Sequence, residues 1–246
     1  MLQVCLNGAR SRAECSQLPL TGDELAAAAR EAVTAGAEDI HLHPKDRDGR
    51  DTLEAAAVAA AVSAVRAGVP GVPVGVTTGA WATADPRARA AQVRAWTVLP
   101  DHASVNWHED GAARVAAALL DRGIGIEAGV YSGTTAAQRF LDWPESHRVL
   151  RVLAEITETT PQTALRAAAG LLDELESATA PILLHGEEAA AWPVLRLAAT
   201  RRLDTRIGLE DVLHLPDGTA AQSNAALVRT ARETIQRAGW AHSGES

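Results

Sequence analysis

One lysine, Lys45, stands among the 23 basic residues of this 246-residue chain. Chemistry that runs through a lysine Schiff base must use that residue or be abandoned. Cysteine is nearly as scarce. Cys5 and Cys15 are the only two, and Cys5 lies in an apolar, strand-like run, so no disulfide framework is expected. No run of about 18 apolar residues occurs, and no basic segment leading into an apolar core opens the chain. No basic cluster offsets the formal charge of −8, which argues against nucleic acid as a partner. These absences lead to the expectation of a soluble, cytoplasmic protein that engages neither membrane nor nucleic acid. No linker or low-complexity tract interrupts the sequence. Residues 1–240 therefore read as one domain and residues 241–246 as a C-terminal tail.

What is present is an alternation of short β-like runs with Ala/Leu/Arg-rich helical stretches. Strands are predicted at 2–8, 39–44, 73–78, 102–107, 123–130, 149–157, 180–186 and 205–211. Helical stretches read at 22–36, 52–68, 85–96, 110–123, 161–177 and 220–239, with a fifth helix inside 133–148 that Pro144 interrupts. Asp23, Asp51 and Asp85 suit helix starts, and Gly36, Gly68, Gly123 and Gly239 follow helical runs as C-terminal caps do. Eight strands each followed by a helix predict a single (β/α)8 TIM barrel. An open doubly wound sheet is the rival architecture, but no G-x-G-x-x-G follows the first strand.

Catalytic groups of such barrels sit at the C-terminal ends of the strands. Those ends carry Asn7, His41, His43, Thr77, Thr78, Gly79, Ser104, Asn106, Glu127, Glu155, His185, Glu187, Arg206, Glu210 and Asp211. That is more polarity than a packed interior tolerates without a purpose. In DIHLHP, strand parity places His41 and His43 on one face and Ile40 and Leu42 on the other. In TRIGLED the same reading turns Arg206 and Glu210 inward, opposite Ile207 and Leu209. The second and eighth strands of a closed barrel are separated only by the first, so their mouths lie roughly 10 Å apart. Two His and one Glu with an open position form a catalytic zinc set, although imidazole also suits iron, nickel or copper. Glu127 reads equally as a structural partner or a substrate contact, and His185 as a ligand or as a support behind one. Arg206 is also suited simply to neutralising buried carboxylates. His102, His108, His147, His214 and His242 fall in predicted loops, helix ends or the tail, where solvated histidine is expected. Of Trp81, Trp107 and Trp192, just past strand ends, most read as packing and one as a pocket wall.

The motifs NGARS, HLHPKD, GVTTGAW, ASVNWHE, IEAGV, LLHGE, TRIGLEDVLHLPDG and SNAALV occur in that order. Together they resemble the β-keto acid cleavage enzymes, typified by the 3-keto-5-aminohexanoate cleavage enzyme, over nearly the whole chain. The resemblance implies a zinc-dependent acyltransferase on a TIM barrel, assembled as a homotetramer. Such an enzyme condenses a β-keto acid with acetyl-CoA and returns acetoacetate and a new acyl-CoA. Carried over by motif, it implies that His41, His43 and Glu210 bind zinc and that Asp211, supported by Arg206, is the catalytic base. Thr77, Thr78, Gly79 and Asn106 then become donors to the substrate carboxylate and to developing oxyanions.

The chain departs from that pattern in being shorter than typical relatives around strands four to six. Relatives that take amino substrates carry an acidic residue after T-G-A, where this chain has N-G-A and then Arg10. An ammonium group would be repelled there, so a neutral or anionic substrate side chain is expected. Metal-dependent hydrolysis on the same fold is the alternative enzyme class. Those hydrolases place H-x-H on the first strand and add histidines on the fifth and sixth, whereas here the pair is on the second and those strands have none. A non-enzymatic metal-binding barrel is the third reading.

Overall fold

A strand covered on both faces is buried along its whole length, and all eight strands of this chain are buried almost throughout. The structure is a computed structural model and describes residues 1–241. Its strands are β1 (Leu2–Cys5), β2 (Asp39–Leu42), β3 (Val74–Thr77), β4 (His102–Asn106), β5 (Gly125–Tyr131), β6 (Arg151–Ile156), β7 (Ile182–Gly186) and β8 (Thr205–Ile207). They alternate with α1 (Gly22–Thr34), α2 (Ala55–Gly68), α3 (Pro86–Ala95), α4 (Ala112–Asp121), α5 (Ala136–Leu141), α6 (Pro161–Glu174), α7 (Ala191–Arg201) and α8 (Asn224–Ala241). All pairings are parallel, in the order β7-β6-β5-β4-β3-β2-β1-β8. One parallel bridge, Leu183 to Asp204, joins β7 to β8 and closes the ring. The alternation read from the sequence is therefore a TIM barrel. No helix among the described residues is long and apolar enough to cross a membrane.

Parity divides each strand between two environments. Val4, Ile40, Leu42, Val74, Val76, Ala103, Val105 and Val152 pack beneath the helices. The alternate positions, Gln3, Asp39, His41, His102, Ser104, Glu127, Arg151, Glu155 and Arg206, fill the interior with polar groups. β1 pairs Cys5 with His41 on one side and Gln3 with Arg206 on the other, so β2 and β8 flank a single strand. Gly75 of β3 lacks a side chain where the His102 ring sits, and a Cβ there would overlap the imidazole.

Helix starts follow local chemistry. Thr21 and Glu24 form a reciprocal capping box at α1, and Asp85 and Thr160 cap α3 and α6 just ahead of prolines. Asp51 breaks the expected pattern: α2 begins only at Ala55 and has no side-chain cap. β8 is also shorter than expected, ending at Ile207, with Gly208–Asp211 in a turn closed by Asp211 N–H to Gly208 carbonyl at 3.0 Å. α5 stops before Pro144, with a short 3-10 turn at Ser146–Arg148 beyond it. α7 falls outside the stretches read as helical and tolerates Pro193 because it lies in the first turn. α8 runs through Gly239, which is therefore no cap. Most of the expected tail, residues 242–246, lies outside the described residues.

Candidate active site

His41 and His43 extend from the end of β2 with ring centroids 5.3 Å apart and planes at 75°. Glu210 reaches them from the turn after β8: its Oε2 is 3.8 Å from His41 Nε2 and its Oε1 is 3.6 Å from His43 Nε2. The three offer donor atoms that all lie within 4.8 Å of one another. Glu210 Oε2 is buried and without a hydrogen-bond partner. Two imidazole nitrogens and a carboxylate oxygen facing one point, one of them unpartnered, fit a divalent cation with a position left open. The other ring nitrogens face carboxylates. His43 Nδ1 is 2.8 Å from Asp51 Oδ2, and His41 Nδ1 is 3.8 Å from Glu127 Oε2. The first is a hydrogen bond of the kind that orients a ligating imidazole and raises its basicity, whereas the second is too long to be one. Gly8 has a positive φ of 59°, and a Cβ there would run into the Glu210 side chain.

The parity argument behind Glu210 assumed a strand through residue 211, yet both Glu210 and Asp211 belong to the turn. Arg206, on the last inward position of β8, organises that turn. Its Nε and Nη2 donate to Asp211 Oδ1 at 3.1 and 2.8 Å, and Nη2 also donates to Glu210 Oε1 at 3.0 Å. Asp211 Oδ2 has no partner. Burial pushes the Asp211 carboxyl up to about 7 against the lowering effect of Arg206, with Glu210 and Glu187 adding to the rise. Behind it, His185 Nδ1 is 3.8 Å from Asp211 Oδ1 and its Nε2 is 3.5 Å from Glu155 Oε2. Burial raises the Glu155 carboxyl to about 8 and holds His185 well below its ordinary value. His185 thus stands behind Asp211 and is not in the group facing Glu210.

A second cluster lies deeper in the barrel. His102 Nε2 is 3.0 Å from Asp39 Oδ1 and its Nδ1 is 3.1 Å from Glu127 Oε2. These three also have donor atoms within 4.8 Å of one another. Here, however, the Arg151 guanidinium sits between the acids, 2.6 Å from Asp39 and 2.9 Å from Glu127. Gln3 Nε2 donates to both, at 2.9 and 2.7 Å. The expectation of a solvated His102 is thus corrected. Strand β4 begins at that residue and turns it into the space Gly75 leaves. His108, His147 and His214 are exposed as expected, and His242 lies outside the described residues.

A family model described as beta-keto acid cleavage enzyme matches residues 1–242. The chain belongs to that family. Among solved structures it is similar to ObcA in its apo form, at 17% identity and a TM-score of 0.73, over 91% of this chain and 62% of that one. It is also similar to the ternary complex of ObcA with C4-CoA adduct and oxalate, at 16% identity and a TM-score of 0.73, over 91% and 64%. A 3-dehydroquinate dehydratase from Geobacillus kaustophilus HTA426 shares the barrel at 9% identity and a TM-score of 0.60, over 97% and 91%. The chain spans less than two thirds of the length of those ObcA structures. At such identities the likeness concerns the fold.

In this β-keto acid cleavage family member, several residues expected to meet substrate are otherwise engaged. Glu127 is fully buried at the level of Arg151, where Oε1 accepts from Gln3 and pairs with Arg151 and Oε2 lies 3.1 Å from His102. Thr78 donates both its N–H and its hydroxyl to the Ser104 carbonyl, at 3.2 and 2.6 Å, and Gly79 N–H donates to Thr77 Oγ1 at 3.1 Å. Asn106 donates to Glu109 at 3.0 Å. Among them, the Thr77 hydroxyl hydrogen and the second hydrogen of the Asn106 amide are without an acceptor. Arg10 Nε donates to the Glu210 carbonyl at 3.0 Å, and its guanidinium pairs with Glu188 and lies 3.7 Å from Glu14. Two carboxylates at the exposed rim thus share its charge. Trp81 is 50% exposed and stacks on His43 at 5.8 Å and 14°, making it a wall of the mouth, while Trp107 and Trp192 are buried packing. Sequence reading missed Asp51, placed at a helix start, and the buried Arg89–Glu109 pair, whose Glu109 accepts Ala80 N–H at 3.0 Å and so pins the loop after β3.

Proposed function

We propose that this family member cleaves a β-keto acid with acetyl-CoA as co-substrate, yielding acetoacetate and a new acyl-CoA, with zinc as its metal. The observation that most supports this is the meeting of His41, His43 and Glu210 beside an Asp211 that has one oxygen held by Arg206 and the other unpartnered. Zinc at the three donors would supply a Lewis acid for the keto and carboxylate oxygens of the substrate. Asp211 Oδ2 takes the proton from C2 of the keto acid, while Arg206 fixes the carboxylate through Oδ1. A carboxyl raised toward neutrality is a workable base at pH 7.

The C2 carbanion attacks the acetyl thioester, forming a carbon–carbon bond and expelling the CoA thiolate. The thiolate then adds to the original C3 carbonyl, and the C2–C3 bond breaks. The acyl group stays on CoA, and the proton held by Asp211 returns to C2 of acetoacetate. ObcA structures with oxaloacetate, a β-keto acid, and with a C4-CoA adduct support the same pair of substrate classes. With the charge of Arg10 answered by Glu188 and Glu14, a neutral substrate side chain is the preferred class. The test is a panel of β-keto acids incubated with acetyl-CoA, reading out acetoacetate. Wild type is expected to turn over at least one neutral member and His43→Ala none. Equal turnover by both proteins would remove the proposal.

A further inference from the structure

The chain's single lysine is not spent on substrate. Lys45 Nζ is buried, donates to the Gly8 carbonyl at 2.6 Å and pairs with Asp51 Oδ1. The other oxygen of Asp51 receives two N–H groups, His43 Nδ1 at 2.8 Å and Trp81 Nε1 at 2.6 Å. An antiparallel bridge between Lys45 and Asp51 folds the intervening loop so that its far end returns to β2. Asp51 therefore meets three donors from three directions, and its side chain is almost fully enclosed. A carboxylate gripped on both oxygens cannot swing away from the imidazole it faces.

We propose that Asp51, locked by Lys45 and Trp81, is the positioning residue that makes His43 present Nε2 to the metal. This rests on the metal reading given above. With Nδ1 committed to Asp51, the ring has only Nε2 to offer, and that is the nitrogen 3.6 Å from Glu210. Lys45 acts through two supports at once. It fixes Asp51 beneath His43, and it holds the carbonyl of Gly8, whose bare α-carbon packs against Glu210. Trp81 covers the assembly, its ring stacked on the imidazole and its N–H tied to the same oxygen. Three segments far apart in sequence, at residues 8, 45–51 and 81, are joined by two side chains.

The experiment strips the protein of metal and titrates Zn²⁺ against a chromogenic chelator. Asp51→Asn is expected to bind zinc about 10- to 100-fold more weakly and, because buried Lys45 loses its carboxylate, to melt lower, so affinity is read at a temperature where the metal-free variant is folded. In the variant one donor must face an amide NH₂ instead of an oxygen. Lys45→Met is expected to weaken zinc by a smaller factor, and the double variant by less than the two effects multiplied, because part of the lysine's effect runs through the carboxylate and part through Gly8. Should Asp51→Asn not fold, Lys45→Met and Trp81→Phe carry the test, each deleting one donor to Asp51. Wild-type zinc affinity in all of these variants, with His43→Ala unable to bind, overturns the clamp and leaves the metal reading standing. Wild-type zinc affinity in His43→Ala overturns the metal reading, and the clamp with it.

Discussion

His41, His43 and Glu210 at the mouth and Asp39, His102 and Glu127 below them are both built from imidazoles and carboxylates, and in each set the donor atoms lie within 4.8 Å of one another. They differ in what stands beside them. The lower set holds the Arg151 guanidinium between its two acids and the Gln3 amide across both, so its negative charge is already met. The upper set has Arg206 at one edge only; each set keeps a carboxylate oxygen without a hydrogen bond, Glu210 Oε2 above and Glu127 Oε2 below, so the place of the fixed cation is what separates them. Donor type and spacing do not by themselves define a metal centre. A fixed cation inside the ring of donors closes it, and one at the rim leaves it open. Glu127 connects the two, ion-paired below and facing His41 Nδ1 above.

The largest expected contrast comes from removing one histidine from each set. His41→Ala is expected to lose bound zinc and all measurable turnover, whereas His102→Ala keeps about one equivalent of zinc by metal analysis. Zinc lost equally from both would erase the distinction. Next comes Asp211→Asn, expected to retain zinc and lose about 10²- to 10⁴-fold in kcat, the usual span for a positioned base. Full activity with asparagine there would assign the proton to another group.

Arg151→Met tests the lower set directly. Two acids left facing each other without their cation are expected to lower unfolding stability by about 3–5 kcal/mol, read from urea titration. The smallest effect depends on pH. Burial lowers the His102 pKa, but Glu127 and Asp39 outweigh it and hold the value near about 10, from an ordinary 6.5. Its folded-state proton therefore stabilises fully below pH 6.5, and that contribution fades as pH rises toward 10. The stability gap between wild type and His102→Gln is expected to narrow between pH 6 and pH 10. A constant gap would mean that the ring is neutral in the fold.

The eight strands were legible because each carries an apolar outward face that the helices cover, and parity alone separated Ile40 and Leu42 from His41 and His43. Glu210 was found through a strand that does not extend so far; the turn Arg206 organises delivers the side chain instead. Asp51 was illegible for a clearer reason. An aspartate four residues before a helix looks like a cap, and nothing local reveals that a loop bridge turns it back toward β2. His102 was hidden because its burial depends on Gly75 of the neighbouring strand, a relation that spacing along the chain does not encode. Arg10 was read by its charge, and the compensating Glu188 lies 178 positions away.

Among the described residues a single β-bridge joins β7 to β8, helped by the Thr205 hydroxyl donating to the Leu184 carbonyl and, past the strand ends, by Glu188 N–H donating to the Asp211 carbonyl at 2.8 Å. His185 stands on one side of that join and Arg206 and Asp211 on the other. A hoop gives first at its thinnest stitch. The turn that carries both Glu210 and Asp211 is thus mounted beside the ring's shortest join, while both imidazoles extend from β2, which is laddered on either side, so small breathing motions would carry the two carboxylates together relative to the histidines.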